Sequence, residues 1–125
     1  MKAKNLSHHI DNAIEGMTHG GTVKYRILLN EDTCGSKSFS LLVNTMKGGE
    51  TCREEDTQGH KHDVEHGFYC LSGRGYVSIG GEKYSFTPGT AVFVPSGQMH
   101  YVVNEGQEDL DYIVLYVPAG EEKKL

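Results

Sequence analysis

The sequence predicts an all-β fold in which short strands close into a sandwich or barrel. Two observations carry that prediction. First, 125 residues with sixteen glycines, seven tyrosines, no tryptophan and only 37% apolar residues suit many short strands joined by tight turns better than long packed helices. Second, runs rich in β-branched and aromatic residues recur at close spacing, each ended by a turn signal. The length suits one domain with a real core and is too short for two.

Residues 1 to 21 are polar and weakly patterned and end in His19-Gly20-Gly21, which reads as an N-terminal arm with His8, His9 and His19 in solvent. The domain proper is expected over 22–118. Eight strands are predicted there: Val23 to Leu29, Phe39 to Met46, Gly67 to Leu71, Tyr76 to Ile79, Lys83 to Phe86, Ala91 to Val94, His100 to Val103 and Leu110 to Val117. Gly48-Gly49, Gly73-x-Gly75, Pro88-Gly89, Pro95-x-Gly97 and Asn104-Glu105-Gly106 mark the reversals between them. Gly80-Gly81 is the two-residue signal of a tight hairpin. The last strand ends at Pro118, and residues 119–125, with their Glu-Glu-Lys-Lys run, read as a solvated tail.

A formal charge of −5 leaves no basic face to collect phosphates, which argues against a nucleic-acid partner. The N-terminus lacks the apolar stretch of a signal peptide, and no window reaches membrane-spanning length, so a cytosolic, membrane-free protein is expected. Cys34, Cys52 and Cys70 form an odd set without C-x-x-C spacing, the pattern of reduced thiols rather than disulfides or a zinc ribbon. Cys70, between Tyr69 and Leu71, reads as a small buried hydrophobe.

The chemistry gathers on four of the seven histidines. His60, His62 and His66 share parity and face the same way on an extended chain, and His100 follows 34 residues after His66, behind a Pro95-to-Gly97 turn. One inward histidine is usually a hydrogen-bonded core residue. Four imidazoles buried together without a cation waste hydrogen-bonding capacity and repel on protonation, whereas one divalent ion takes all of them as neutral ligands.

At these residues the sequence resembles the cupin superfamily. The second cupin motif, G-x5-P-x-G-x2-H-x3-N, is matched in full by Gly89, Pro95, Gly97, His100 and Asn104. At average usage its two glycines and proline alone coincide about once in 4,000 positions. The first motif, G-x5-H-x-H-x3,4-E-x6-G, is matched at His60, His62 and Gly73, with His66 where the family carries glutamate and Glu54 where it carries glycine. Glu65 is one residue from the ligand position, and parity turns it to the other face. The spacing is also similar to that of small four-histidine manganese cupins, a resemblance covering roughly residues 23 to 118, with Arg26-Ile27-Leu28-Leu29 and Lys47-Gly48-Gly49.

The resemblance implies a single-domain cupin β-barrel (jelly roll) holding one divalent ion on His60, His62, His66 and His100. Manganese or iron is expected first, with nickel, copper or zinc also accepted by imidazole. Phe68 and Cys70 match the ligand strand in parity, and the subgroup pattern turns Ile113 and Leu115 inward with them as pocket lining. Arg26 is a candidate anchor for a substrate carboxylate, Tyr101 and Gln98 are candidates at the mouth, and Asn104 is expected to bond turn backbone. Asp63, Glu65, Glu54, Glu55 and Asp56 are candidate partners for imidazole N–H groups or a general base, with solvated loop charges as the plainer reading.

Four neutral ligands leave the full 2+ charge on the ion, which favours small, anionic or chelating substrates. Three function classes follow. The first is a dioxygenase or other oxidoreductase acting on an enolisable, catecholic or unsaturated molecule. The second is a non-redox isomerase or lyase acting on a sugar acid-like substrate, and the third is a non-catalytic metabolite or metal binder. A homodimer is expected through outward Tyr69 and Leu71, with Ile10 and Ile14 of the arm as candidate crossing points.

Overall fold

The computed structural model describes residues 5–49, 51–52 and 64–120. Among the described residues, besides two single 3-10 turns at Ile10–Asn12 and His19–Gly21, ten strands and one short α-helix follow in order: β1 (Ile14–Thr18), β2 (Val23–Leu29), α1 (Glu31–Cys34), β3 (Ser40–Met46), β4 (Thr51–Cys52), β5 (His66–Ser72), β6 (Gly75–Ile79), β7 (Glu82–Phe86), β8 (Ala91–Val94), β9 (His100–Asn104) and β10 (Leu110–Tyr116). They form two facing antiparallel sheets. One has six strands in the order β1-β2-β3-β10-β5-β8, and the other has four in the order β4-β9-β6-β7. Among the described residues no helix is long and apolar enough to cross a membrane.

All eight expected strands are present, most within a residue or two of their predicted ends, and β6–β7 is the hairpin turned by Gly80 and Gly81, both at positive φ. Two strands were not expected. The stretch read as an arm contributes β1, which pairs along β2 from Ile14↔Ile27 to Thr18↔Val23, and Thr51–Cys52 adds β4 beside β9. Ile14 is therefore engaged by this chain's own sheet. Gly16 makes the close pairing possible, because a side chain there would run into the Tyr25 ring.

The core lies between the sheets. Val23, Ile27, Leu42, Met46, Phe68, Cys70, Val77, Phe86, Val94, Val102, Leu110, Tyr112, Val114 and Tyr116 form its buried cluster. The two-residue period turns Leu42, Asn44 and Met46 of β3 to the interior and Leu41, Val43 and Thr45 to the other face, where Val43 is nonetheless buried. Removing this much apolar surface from water is the main stabilising term, roughly 1.5 to 3 kcal/mol for each large side chain.

One end of the interior is closed by backbone. Asn104 donates from Nδ2 to the carbonyls of Met46 (3.0 Å) and Glu108 (2.8 Å), and its Oδ1 accepts from the Gly106 N–H (2.9 Å). Gly75 packs against the Val103 carbonyl and Gly48 against that of Gln107, so closely that a Cβ at either position would overlap the oxygen.

Candidate metal centre

The opposite end of the interior holds the imidazoles. His66 begins β5, where register places it beside Tyr116 of β10 and Val94 of β8, on the inner face and 3% exposed. His100 begins β9 on the facing sheet, next to Ile79 of β6, and is 2% exposed. The two rings meet edge to face with centroids 5.5 Å apart. Tyr116 lies 4.7 Å from the His66 ring, while Phe68 is 6.4 Å from His66 and 6.3 Å from His100.

The turn before β9 sets the orientation of His100. Its Nδ1 lies 3.1 Å from the Gln98 carbonyl oxygen, an acceptor only, so in the neutral ring Nδ1 is the donor and Nε2 carries the lone pair. This is the arrangement in which a metal-ligating histidine is held by a backbone partner. Both ring nitrogens of His66 are buried as well. Two imidazoles on one ion, with bonds of about 2.1 Å, put their ring centres up to roughly 6.5 Å apart, so the separation of His66 and His100 fits a shared cation. His60 and His62 lie outside the described residues, as do Glu54, Glu55, Asp56 and Asp63. Among the described residues no group of three or more His, Cys, Asp or Glu side chains is gathered as a metal site.

The remaining candidates separate cleanly. Phe68 and Cys70 point inward as expected. Cys70 is fully buried, and burial is the main cause raising its thiol pKa, with Asp111 adding to it and a hydrogen bond to the Ser72 backbone opposing it. Glu65 precedes β5 and is exposed.

Four assignments are corrected. Ile113 and Leu115 face outward, because β10 presents Leu110, Tyr112, Val114 and Tyr116 to the interior and its register with β3 and β5 fixes that parity. Arg26 also faces outward: its guanidinium donates to Thr45 Oγ1, and Thr45 donates to Asp111. Ser72 reaches the other oxygen of Asp111 at 2.9 Å. Tyr101, between inward His100 and Val102, lies on the outer face of its sheet, 6.5 Å from the Tyr76 ring. Neither Arg26 nor Tyr101 lines the interior.

Sequence reasoning missed the inward residues Tyr116, Tyr112 and Asn44. Asn44 sits between Tyr25 and Tyr112 in register, is 6% exposed, and its Oδ1 has no hydrogen-bond partner among the described residues. For the tyrosines both faces of β10 are apolar, and only its pairing with β3 and β5 sets which one is inward. The Gln98 contribution is a main-chain oxygen, which leaves no mark on residue type.

The comparisons with known proteins agree with this architecture. L-ectoine synthase from Aliivibrio fischeri (strain MJ11) is 35% identical over 80 residues, covering 62% of this chain and 55% of that protein, so the match spans about half the length of the relative. KdgF from Halomonas sp. superposes with a TM-score of 0.76 at 19% identity, covering 95% of this chain and 99% of that one. Ectoine synthase from P. lautus gives 0.70 at 20% identity over 92% of this chain and 79% of the other. Residues 46–116, more than half of the chain, match the Cupin_2 cupin-domain family. With two facing antiparallel sheets and a complete second motif ending at Asn104, the chain belongs to the cupin family.

Proposed function

We propose that the chain is a metal-dependent enzyme acting on a small oxygenated anion, with one divalent ion, manganese or iron first, on His60, His62, His66 and His100. The observation that carries this reading is the enclosed imidazole pair, with the His100 tautomer fixed by the Gln98 carbonyl. An ion held by neutral imidazoles supplies an undiminished 2+ charge that polarises a carbonyl or carboxylate oxygen of a bound substrate. The protein's own part is to hold the rings: β5 presents His66, β9 presents His100, and Tyr116 and Phe68 pack against them and shield that end of the interior from water.

For reaction class, the similarity to a protein named L-ectoine synthase supports the non-redox reading, an isomerase- or lyase-type reaction on a small molecule. The oxidative reading, on an enolisable, catecholic or unsaturated substrate, is the second one, and the Phe68 ring beside both imidazoles favours it.

One experiment tests both. Protein purified without chelator or nickel resin is analysed for bound metal. It is then incubated, with and without oxygen, with uronates, aldonates, β-diketones and catechols. One equivalent of metal, lost in His66→Ala, with oxygen-independent turnover of the first two groups is the expected result. Oxygen uptake with the latter two assigns the chemistry to the oxidative class, and metal-free protein of unchanged activity overturns the proposal.

A further inference from the structure

The two sheets are not sealed along the side where β7 and β8 lie. Each of these strands has a single hydrogen-bonded neighbour, β6 for the one and β5 for the other. The turn over 87–90 ties them at one end, where the Thr90 N–H donates to the Thr87 carbonyl at 2.9 Å. Away from that turn the seam opens. Phe86 and Tyr84 both face inward, as register partners of Gly75 and Val77, yet Phe86 is fully buried and Tyr84 is 45% exposed. Ile79 and Val92 pack against the core and are also only partly buried. Between them lies a cleft of about 510 Å³ lined in part by Ile79, Lys83, Tyr84, Val92 and Pro95, a size usual for a small-molecule site. This cleft adjoins the imidazoles. Ile79 is the register partner of His100, and Val92 is that of Phe68, whose ring stands beside both histidines. Pro95 directly follows Val94, the partner of His66.

We propose that the seam between β7 and β8 holds an apolar substituent of the substrate, so that the ligand is an oxygenated anion carrying a flat apolar group at some distance from its charge. The Tyr84 ring is one wall for that group, and Val92 is the other. Its hydroxyl donates to the Glu82 carboxylate at 3.3 Å, which holds the ring at the seam before any ligand arrives. The reach is suitable. Tyr84 and His100 are separated by two residues along the strands and two strand spacings across them, about 12 Å between backbones. A ring stacked on Tyr84 therefore brings a carboxylate two or three bonds away to the imidazole end. The charge also matches, since Lys83 is the one charged side chain lining the cleft. Its Nζ rests 4.7 Å from the centre of the Tyr76 ring, a contact weak enough for the chain to swing toward an anion. The placement of the anionic end rests on the proposed metal centre, whereas that of the apolar end does not.

The test is calorimetric titration of the manganese-loaded full chain with two pairs of probes, phenyl glucosiduronate against glucuronate and 3-phenylpropionate against propionate. In at least one pair the phenyl member is expected to bind at least about 10-fold more tightly. Tyr84→Ala should abolish that gain, and Tyr84→Phe, which keeps the ring, should hold it within about 2-fold. Tyr84 is half exposed on an edge strand, so both variants keep the fold, which circular dichroism checks. Tyr69→Ser, in the apolar groove on the outer face of β5 and β10, is expected to leave the gain unchanged. No gain in either pair, or a gain that survives Tyr84→Ala or is lost in Tyr69→Ser, overturns the proposal. His66→Ala separates the two readings: it should weaken the bare acids and spare the gain from the phenyl group. Bare acids that bind His66→Ala as well as wild type would remove the metal centre and leave the seam in place.

Discussion

Asn104 and His100 lie four residues apart on β9, both on the inner face and both almost wholly buried, yet their surroundings differ in kind. Asn104 directs its amide entirely to neighbouring backbone, three hydrogen bonds that tie β3, the β9–β10 turn and its own strand together. His100 gives one nitrogen to the Gln98 carbonyl and turns its ring toward His66. Polar groups cost free energy when buried without partners, so each needs a reason to be inside. At the Asn104 end the reason is closure of the fold, and at the histidine end the reason we propose is a bound metal ion.

That contrast is open to breakage by substitution. His100→Ala should cause the largest change, loss of bound metal with turnover reduced by more than the 10- to 100-fold typical of an outer-shell change. Its thermal midpoint without metal should stay close to that of metal-free wild type. If turnover persists, the histidine end is structural after all. Asn104→Ala should do the reverse. Three buried hydrogen bonds at about 1 kcal/mol each put the loss near 3 kcal/mol, readable in a denaturant melt, while the folded fraction still binds metal. Retained stability would remove the assignment of that end as the closure.

Asn44 sharpens the comparison, since it is a second inward asparagine whose Oδ1 has no partner among the described residues. Asn44→Leu is expected to leave stability unchanged or raise it by about 1 kcal/mol, because an unsatisfied buried acceptor carries an unrecovered desolvation cost. A loss of several kcal/mol would place it with Asn104 instead.

The smallest effect concerns Cys70. Burial raises its thiol pKa, so the folded chain keeps the proton to higher pH than the unfolded chain does. Stability therefore falls as pH rises past the ordinary thiol value of about 8.5, where the unfolded state ionises first. Melts across that range should fall more steeply for wild type than for Cys70→Ala, and parallel slopes would show the thiol to be indifferent.

The sequence made the strands readable wherever turn chemistry and a β-rich run coincided, as at Gly80-Gly81 between β6 and β7. It left β1 unread because Ile14 and Met17 fall on opposite faces of an edge strand and are both exposed, so no alternation forms. β10 was read as a strand with the wrong parity. Val114 and Tyr116 inside and Ile113 and Leu115 outside are all apolar, so only pairing with β3 and β5 decides which set enters the core. Arg26 failed for the same reason, its direction being set by the pairing of β2 with β1 and β3. The inward direction of His66 was legible from its parity at a motif position where the family carries glutamate, whereas the Gln98 carbonyl belongs to the main chain and could only be seen in three dimensions.

The backbone closure at Gly48 and Gly75 bears on how such a protein can diverge. A methyl group at either position would sit on a carbonyl oxygen of the neighbouring turn or strand, so these sites tolerate no exchange without moving main chain. Neutral drift is therefore channelled to the other end of the barrel, where side chains meet side chains and compensate one another. A mutational library aimed at the proposed site belongs there, on the inward positions around His66 and His100, with the glycine-packed end left unchanged as the fixed part of the scaffold.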